Sequence, residues 1–261
     1  MDVPELASVS GAITPTAKAA IPLADDGLYR GDGVFEVIRL YAGRPFALAD
    51  HLDRLERSAA TIELPVEREP LEREIAALLE RFGDGDAQLR IVLTRGGRRI
   101  AATEALPDKG ETVSLATVAY SPSIILTGVK SLSYGANMQA TRLAHARGAD
   151  EALLVRPDRV ILEAPTSTIF WAPPSGPLHT PALGTGILES ITRQRIINEL
   201  HVAQGEFTLD DLLAADEAFL ASTVREVQPI TRIDDHEMVA DGAHTADARE
   251  AFDQVVARAL A

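Results

Sequence analysis

Both halves of the chain contain strand-like and helix-like segments, and this mixture limits the fold more than any other feature of the sequence. In the first half, residues 34–41 alternate in polarity, which predicts a strand led by the glycine-rich turn 31–33. The strands and helices of this half are segregated, which favours an α+β arrangement. Its other expected elements are strands at 46–48, 88–94 and 112–119, helices starting at Asp50 and Pro70, and a loop at 95–110.

The second half mixes strands and helices more evenly. Gly148 is predicted to end one helix, and Ser190 to cap another. Residues 120–128 are predicted to be a connector, so the sequence divides into an N-terminal α+β domain at 1–119 and a C-terminal domain at 129–261. The elements expected after the connector are strands at 151–155, 160–171, 218–222 and 227–233 and helices at 134–147, 190–200 and 246–260.

The composition narrows the chemistry and the partners. There is no cysteine among the 261 residues, which excludes disulfides, thiolate metal sites and cysteine nucleophiles. The net charge of −14 disfavours nucleic acid and anionic membranes as partners, because both attract basic surfaces. We find no secretory signal pattern and no segment near the ~20 apolar residues of a membrane span, so a cytoplasmic location is expected. The six histidines are scattered, and no metal site is predicted.

Lysine is rare in this chain. Of the 25 basic residues only three are lysines, namely Lys18, Lys109 and Lys130. A lysine can give up its proton more easily than an arginine, and only the neutral amine attacks a carbonyl. Lys130 lies in a mostly uncharged stretch just before a predicted helix, where desolvation favours the neutral amine. The same position also suits a surface lysine whose stem covers apolar groups.

Other polar residues are placed where they could bind a charged ligand. Glu163 ends an apolar segment, and its carboxylate needs a partner if it is buried. A pyridinium nitrogen would serve as that partner, and so would an arginine or water. A helix start, two hydroxyl groups and an arginine could each bind a phosphate. Each also has an equally good structural explanation: the helix start as an ordinary capped helix, the hydroxyls as part of a turn, and the arginine as part of a surface ion pair. These candidate phosphate ligands are Ile191, Thr192, Ser222, Thr223 and Arg54.

Several motifs occur in one order along the chain. They are GDGVFE at 31–36, HLDRL at 51–55, VKSL at 129–132, GADEAL at 148–153, LEAPTS at 162–167 and ITR at 191–193. In order and approximate spacing they resemble the class IV, or fold type IV, aminotransferases, which depend on pyridoxal 5'-phosphate (PLP). That family includes D-amino-acid transaminases, branched-chain aminotransferases and aminodeoxychorismate lyase. The resemblance extends from about Gly11 to the C-terminus, and the joint agreement is more specific than any single motif.

The resemblance implies a role for each matched residue. Lys130 is expected to hold PLP as a Schiff base and then to move the proton between Cα and C4'. Glu163 is expected to hold the pyridine nitrogen. The family fold implies two α/β domains with the cofactor between them, in a homodimer. The residues expected to bind the phosphate are Arg54, Ile191, Thr192, Ser222 and Thr223.

The substrate residues depart from the family pattern in places. Phe35 stands where tyrosine is frequent, and Ser190 where glycine is frequent. The loop around Arg98 and Arg99 resembles the one in which D-amino-acid transaminases place an arginine and a histidine on the substrate carboxylate, but no histidine follows here. Arg39 resembles an arginine of the branched-chain enzymes. The residues expected to bind substrate are Phe35, Arg39, Arg98, Arg99 and Val224.

Three functions follow as alternatives. The resemblance favours transfer of an amino group from an amino acid to a 2-oxo acid, with D-amino acids preferred to branched-chain L-amino acids and an amine transaminase also considered. Formation of 4-aminobenzoate and pyruvate from aminodeoxychorismate is the second alternative, which Glu36 and Val37 disfavour because the lyase commonly has threonine there. A non-catalytic module of the same fold is the third, and the joint presence of Lys130, Glu163 and Arg54 argues against it.

Overall fold

The structure is a computed structural model that describes residues 3–240 and 242–261. Its backbone divides into two compact units. The first comprises the residues up to Pro107 together with Val129–Tyr134, and the second comprises Asp108–Gly128 and Gly135–Ala259. No helix in the described part of the chain is both long enough and apolar enough to span a membrane.

The first unit is built on an antiparallel sheet. The strands are β1 (Leu6–Val9), β2 (Ala12–Pro15), β3 (Gly33–Tyr41), β4 (Arg44–Pro45), β5 (Ala87–Thr94) and β6 (Arg99–Glu104). They are ordered β2-β1-β6-β5-β3-β4 across the sheet. The helices are α1 (Asp26–Arg30), α2 (Leu48–Thr61) and α3 (Arg68–Phe82).

The core of the first unit forms where α2 and α3 pack on this sheet. Val34, Ile38 and Leu40 of β3 are fully buried, because side chains alternate across a strand and this face is turned to the helices. The helices add apolar side chains at three- and four-residue spacing, which makes one stripe along each helix. These are Leu52, Leu55 and Ala59 of α2 and Leu71, Ile75 and Leu78 of α3.

The second unit is built on a mixed sheet. Its strands are β7 (Val113–Ala119), β8 (Glu151–Val155), β9 (Thr168–Ala172), β10 (Leu178–Pro181), β11 (Val202–Gly205), β12 (Glu217–Ser222), β13 (Glu226–Ile233) and β14 (His236–Glu237). The order is β11-β10-β9-β12-β13-β7-β8, with β14 beside β13. β7 runs parallel to β8 and β13, and β10 runs parallel to β11. The helices are α4 (Gly135–His145), α5 (Ile191–Glu199), α6 (Leu209–Leu213) and α7 (Ala243–Leu260).

The core of the second unit lies on the central strands. Ile169 and Trp171 of β9, Leu220 of β12 and Ile230 of β13 are fully buried. α4 packs on β7 and β8, and α5 packs on β12. Because strands and helices are mixed within both units, the mixed fold class expected from the sequence is confirmed.

The two units do not follow the predicted domain boundaries. β7, assigned by the sequence to the first domain, pairs with β8 and β13 and belongs to the second unit. Val129–Tyr134, assigned to the second domain, belongs to the first unit, where Lys130 O accepts from Phe35 N. Hydrogen bonds between distant segments decide both assignments, and the local sequence does not reveal them.

Two predicted segments have a different structure. The predicted strand 160–171 is a regular strand only at its end, in β9. Ala164 and Ser167 hydrogen-bond to each other and close a turn, and Pro165 between them has no N–H to donate to a sheet. The predicted loop 95–110 contains β6, which pairs with β5.

The start of α2 also differs from the expectation. The helix begins at Leu48 after Ala47, which has a φ of 53° and provides no side-chain cap. Asp50 therefore lies in the first turn and is not the N-cap, although a carboxylate still suits that end of the helix dipole. The predicted strand 46–48 is replaced by this helix start, and the return strand is β4.

Candidate active site

Lys130 lies on a short extended segment beside β3 of the first unit. Its carbonyl accepts a hydrogen bond from Phe35 N at 3.0 Å, and its own N–H donates to Ser58 Oγ of α2 at 3.2 Å. Leu132 N donates to the Gly33 carbonyl at 2.9 Å. The backbone of Lys130 is therefore held by a strand on one side and by a helix on the other.

Two glycines of the GDG motif permit this close approach. Gly31 follows α1 in the left-handed conformation, with a φ of 67°, and a Cβ there would lie 3.1 Å from Ser133. A Cβ on Gly33 would lie 2.3 Å from the Leu93 carbonyl oxygen and 2.7 Å from the Leu132 side chain. The motif thus serves to pack the lysine segment against β3.

The Lys130 side chain lies over an aromatic ring. Its Nζ is 4.4 Å from the centroid of the Phe35 ring, a favourable position for an ammonium. Tyr134 contacts the same ring edge-on, with 5.3 Å between the centroids. Phe35 is buried and Lys130 is half-buried, so the amine has a defined place with reduced access to water.

Arg54 is held by a buried carboxylate. Its Nε donates to Glu36 Oε1 and its Nη2 donates to Glu36 Oε2, both at 2.7 Å, in a bidentate pair. His51 Nδ1 lies 2.8 Å from Glu36 Oε2. We call these three residues the Glu36 cluster. All of them are buried, and Glu36 is completely inaccessible to water.

Electrostatics keep the Glu36 carboxylate ionised. Burial would raise the pKa of Glu36, but the charge and hydrogen bonds of Arg54, supported by His51, lower it from 4.5 to about 2. Burial lowers the pKa of His51 below 6.5, although Glu36 opposes that change. At neutral pH the cluster therefore contains one anion, one cation and a neutral imidazole, with the guanidinium in a fixed orientation.

Arg98 and Arg99, the two arginines expected to bind substrate in the 95–110 segment, have different surroundings. Arg99 donates from Nη2 to Glu74 Oε1 at 2.8 Å, and it also pairs with Glu67. The Nε of Arg98 is buried and has no hydrogen-bond partner within the described ranges. Arg99 is thus engaged by two carboxylates of its own unit, and a carboxylate substrate would have to compete with them.

Arg39 and Phe35 lie on the same face of β3, because they are an even number of residues apart. Arg39 Nη2 donates to Asp86 Oδ2 at 3.2 Å, and the guanidinium lies 5.0 Å from the centroid of the Tyr41 ring. This face of the strand therefore carries both the aromatic ring below Lys130 and a cation.

Glu163 lies in the second unit beside the segment that leads into α5. Its Oε1 accepts a hydrogen bond from Leu188 N at 3.1 Å, and its carbonyl accepts from Leu154 N at 2.9 Å. The residue is half-buried. One oxygen of its carboxylate is thus held by a backbone N–H three residues before α5, the helix that carries the predicted phosphate ligands Ile191 and Thr192.

The start of α5 has the properties of an anion site. Ser190 caps this helix as predicted, since its Oγ accepts from Arg193 N at 3.2 Å. Ile191 and Thr192 are the first two helical residues, and both are buried. The first N–H groups of a helix have no acceptor within the helix, and the helix dipole favours negative charge there.

Ser222, Thr223 and Val224 lie where β12 turns into β13. Ser222 pairs with Glu226 across this hairpin, and Ser222 Oγ accepts from Arg225 N at 3.3 Å. We call residues 222–226 the 222–226 turn. All of its side chains are half-buried, so its hydroxyls can reach a ligand.

The chemistry of these residues fits PLP. The first unit has a lysine amine for an aldehyde and a fixed guanidinium for a phosphate, and the second has a carboxylate for a ring nitrogen and a helix start with hydroxyls for a phosphate. The structure places Phe35, Arg39, Arg54, Arg98, Arg99 and Lys130 in the first unit and Glu163, Ile191, Thr192, Ser222, Thr223 and Val224 in the second.

Sequence reasoning missed the partners of two of these residues. Glu36 and His51 hold Arg54, and Ser58 holds the backbone of Lys130. His51, Arg54 and Ser58 follow each other at three- and four-residue spacing on α2, so they share one helix face. That spacing, together with a glutamate on the buried face of β3, is the signal that could have found them.

Two solved transaminase structures have a fold similar to that of this chain. A fold IV transaminase from Curtobacterium pusillum superposes with a TM-score of 0.84 at 30% identity, over 94% of this chain and 98% of that one. A branched-chain aminotransferase from Thermoproteus uzoniensis has a TM-score of 0.86 at 29% identity, over 96% of this chain and 94% of that one. The chain therefore has the fold of the fold type IV transaminases, as the motifs predicted.

The sequence defines the family more closely. The model of the amino-transferase class IV family matches residues 33–233, and the chain belongs to that family. It is 34% identical to a D-alanine aminotransferase from Listeria monocytogenes, over 92% of both chains. It is 31% identical to a putative branched-chain-amino-acid aminotransferase from Methanocaldococcus jannaschii, over 87% of both chains. It is also 31% identical to an aminodeoxychorismate lyase from Bacillus subtilis, over 94% of this chain and 91% of that one.

Proposed function

We propose that this chain binds PLP and transfers an amino group from an amino acid to a 2-oxo acid, with D-amino acids preferred. Class IV aminotransferases depend on PLP, and the chain is a member of that family. The observation that carries the proposal is the placement of Lys130, whose backbone contacts β3 and α2 and whose amine lies over Phe35. A surface lysine has no need of these three contacts.

Each proposed role uses a group that the chain already holds in place. PLP, when bound, supplies an aldehyde that accepts the amino group and a protonated ring that takes up negative charge from the substrate Cα. Lys130 Nζ holds the cofactor and, as a neutral amine, accepts the proton from the substrate Cα. The Phe35 ring, against which Tyr134 packs edge-on, covers one side of that amine.

Charge complementarity supports the remaining assignments. The Glu163 carboxylate holds the proton at the ring nitrogen, while its hydrogen bond from Leu188 N fixes its orientation. Arg54 binds the phosphate, since its bidentate pair with Glu36 sets the direction of the guanidinium. Ile191 and Thr192 contribute the helix start, and Ser222 and Thr223 contribute hydroxyls.

The preference for D-amino acids has two supports. The motifs at 31–37 and 129–132 resemble those of D-amino-acid transaminases, and a D-alanine aminotransferase is 34% identical over 92% of the chain. Branched-chain L-amino acids are the second candidate substrates, because Arg39 resembles an arginine of the branched-chain enzymes and lies on the same face of β3 as Phe35. The active form in this proposal is a homodimer, and Phe35, Arg98, Arg99 and Val224 are the further substrate contacts.

The first test is the visible spectrum of the PLP-loaded protein. We expect an absorption band of the lysine-bound cofactor that fades on addition of D-alanine and not of L-leucine. Fading with L-leucine alone would instead assign the branched-chain activity. An unchanged band with both amino acids, combined with release of 4-aminobenzoate from aminodeoxychorismate without any 2-oxo acid, would assign the lyase reaction.

The matched test uses the lysines of the chain. Lys130→Ala should reduce turnover by at least about 100-fold, because it removes the group that moves the proton. Lys18→Ala removes an exposed lysine from the same unit and should leave the rate and the band unchanged. A wild-type protein without a cofactor band, or a Lys130→Ala variant with full activity, would overturn the proposed function.

A further inference from the structure

Lys109 holds the 222–226 turn by its backbone. Its Nζ donates to the Arg225 carbonyl at 2.7 Å and to the Val224 carbonyl at 3.3 Å. The same ammonium lies 3.9 Å from Glu226 Oε2. Two successive carbonyls converge on one cation here, so the lysine determines how these peptide groups are oriented.

The turn has a conformation that needs such support. Ser222 pairs with Glu226, and Glu226 has a φ of 57°, where such hairpins usually have glycine. A trans peptide directs its carbonyl and its N–H in opposite directions. The contact that draws Val224 O to Lys109 therefore turns Arg225 N away from the lysine, and that N–H donates to Ser222 Oγ at 3.3 Å.

This arrangement prepares the Ser222 hydroxyl to act as a donor. A hydroxyl oxygen that accepts a backbone hydrogen bond still has its own proton to donate. An anion such as phosphate needs donors, and it gains most from donors whose direction is set before it binds. The orientation of the hydroxyl thus depends on a lysine that lies on the other side of the turn.

Lys109 is itself anchored by the strand that follows the turn. Gln228 of β13 is buried, and its Nε2 donates to the Lys109 carbonyl and to carbonyls of two following residues. The Arg225 side chain donates to Gln228 Oε1 and, at 3.1 Å, to Glu151 Oε2. Lys109 and the 222–226 turn are therefore both hydrogen-bonded to the buried side-chain amide of Gln228.

We propose that Lys109 is a positioning residue for phosphate binding, which acts through the 222–226 turn on the hydroxyl of Ser222. The inference rests on the proposed function, in which that hydroxyl binds the cofactor phosphate. A lysine suits this task because its ammonium directs three donors in different directions, whereas the donors of a guanidinium lie in one plane. It also gives a role to a second of the three lysines in the chain.

The test compares two ligands that differ only in the phosphate. Dissociation constants of PLP and of pyridoxal are measured with the full-length apoprotein, from the quenching of the fluorescence of its single tryptophan, Trp171. Lys109→Met should weaken the binding of PLP about tenfold, as expected when the hydrogen bond from the Ser222 hydroxyl to the charged phosphate is lost. The affinity for pyridoxal should not change. Lys18→Met, which removes the same charge at an exposed site, should change neither. Lys109→Arg, which keeps a cation and several donors, should recover part of the PLP affinity.

Hydrogen exchange provides a readout that does not depend on the cofactor. In the apoprotein, the amides of residues 223–226 should exchange faster in Lys109→Met than in Lys18→Met. If Lys109→Met does not fold, Lys109→Gln, which keeps a neutral donor, takes its place in both measurements.

The outcomes separate this inference from the proposed function. Equal weakening of PLP and pyridoxal, or a lower melting temperature with both affinities unchanged, would show that Lys109 only stabilises the hairpin and would overturn the inference. A wild-type protein that binds neither ligand would overturn the proposed function instead, and the inference would fall with it. If Lys109→Met prefers PLP over pyridoxal by the same factor as the wild type, the inference is overturned and the proposed function stands.

Discussion

At the scale of single residues, the Glu36 cluster shows how the buried carboxylate of Glu36 orients Arg54. Glu36→Gln leaves Arg54 buried without its counter-charge, so we expect the free energy of unfolding to fall by about 3 kcal/mol or more. Urea denaturation with tryptophan fluorescence measures this loss. Asp53→Asn is the control, since its ion pair with Arg68 is half-exposed and its removal should cost less than about 1 kcal/mol. Losses of equal size in the two variants would contradict this account.

The same cluster marks the limit of residue-level prediction. Lys130 stands out because lysine is rare in the chain, and Arg54 stands out because it belongs to a motif. Glu36 also belongs to a motif, but the motif does not show which way its side chain points, since a glutamate in an alternating strand is consistent with either face of a sheet. Only the packing of α2 on β3 shows that its carboxylate is buried beside Arg54 and His51.

At the scale of elements, the lysine segment and β3 approach each other through Gly33. Gly33→Ala would place a Cβ 2.7 Å from the Leu132 side chain of the lysine segment and 2.3 Å from the Leu93 carbonyl oxygen of β5, so we expect a loss of about 1–3 kcal/mol from overpacking. Thermal unfolding measures the loss, and faster exchange of the Phe35 amide would show that its bond to the Lys130 carbonyl has opened. Gly135→Ala is the control, because a Cβ there meets no atom within 4 Å and alanine favours the α4 helix. A Gly33→Ala protein as stable as Gly135→Ala would refute this explanation of the motif.

Elements with a strong local pattern were predictable, and elements set by distant partners were not. β3, β5, β7 and α3 agree with their predicted positions to within about two residues, as is usual for element boundaries. β6 follows two glycines and two arginines, a composition typical of loops, and it is a strand because β5 and β1 supply its hydrogen bonds. The predicted strand 160–171 fails for the opposite reason, because its apolar residues are interrupted by Pro165.

At the scale of the whole molecule, the sequence predicted two domains of mixed structure but misplaced the segments that cross between them. Val129–Tyr134 is separated from β3 by about 90 residues of chain and still completes the first unit. The candidate site also depends on contacts between residues that are far apart in the sequence. The residues that carry the motifs were predicted, whereas Lys109, which holds the 222–226 turn, became visible only through its contacts.

The stability of the whole molecule against acid should depend on one buried histidine. The net charge of −14 at pH 7 falls towards zero as the pH approaches 4.8, which reduces self-repulsion and favours the compact state. His51 acts in the other direction. Burial lowers its pKa, with smaller contributions of the same sign from Arg54 and Lys130, and only Glu36 opposes them. Below pH 6.5 the unfolded chain therefore binds a proton that the folded chain does not, and stability is lost as the pH falls through that range.

His51→Gln removes this proton uptake and isolates its contribution. We expect the wild-type protein to lose more of its free energy of unfolding than His51→Gln between pH 7 and about pH 5, so that the difference between them shrinks as the pH falls. Urea denaturation at several pH values measures that difference. His201→Gln is the matched control, because His201 is exposed, and its curve should run parallel to that of the wild type. A constant difference between the wild type and His51→Gln over this range would show that His51 has the same pKa in the folded and the unfolded protein, and would contradict this account. A difference that grows as the pH falls would show that His51 is charged in the folded protein.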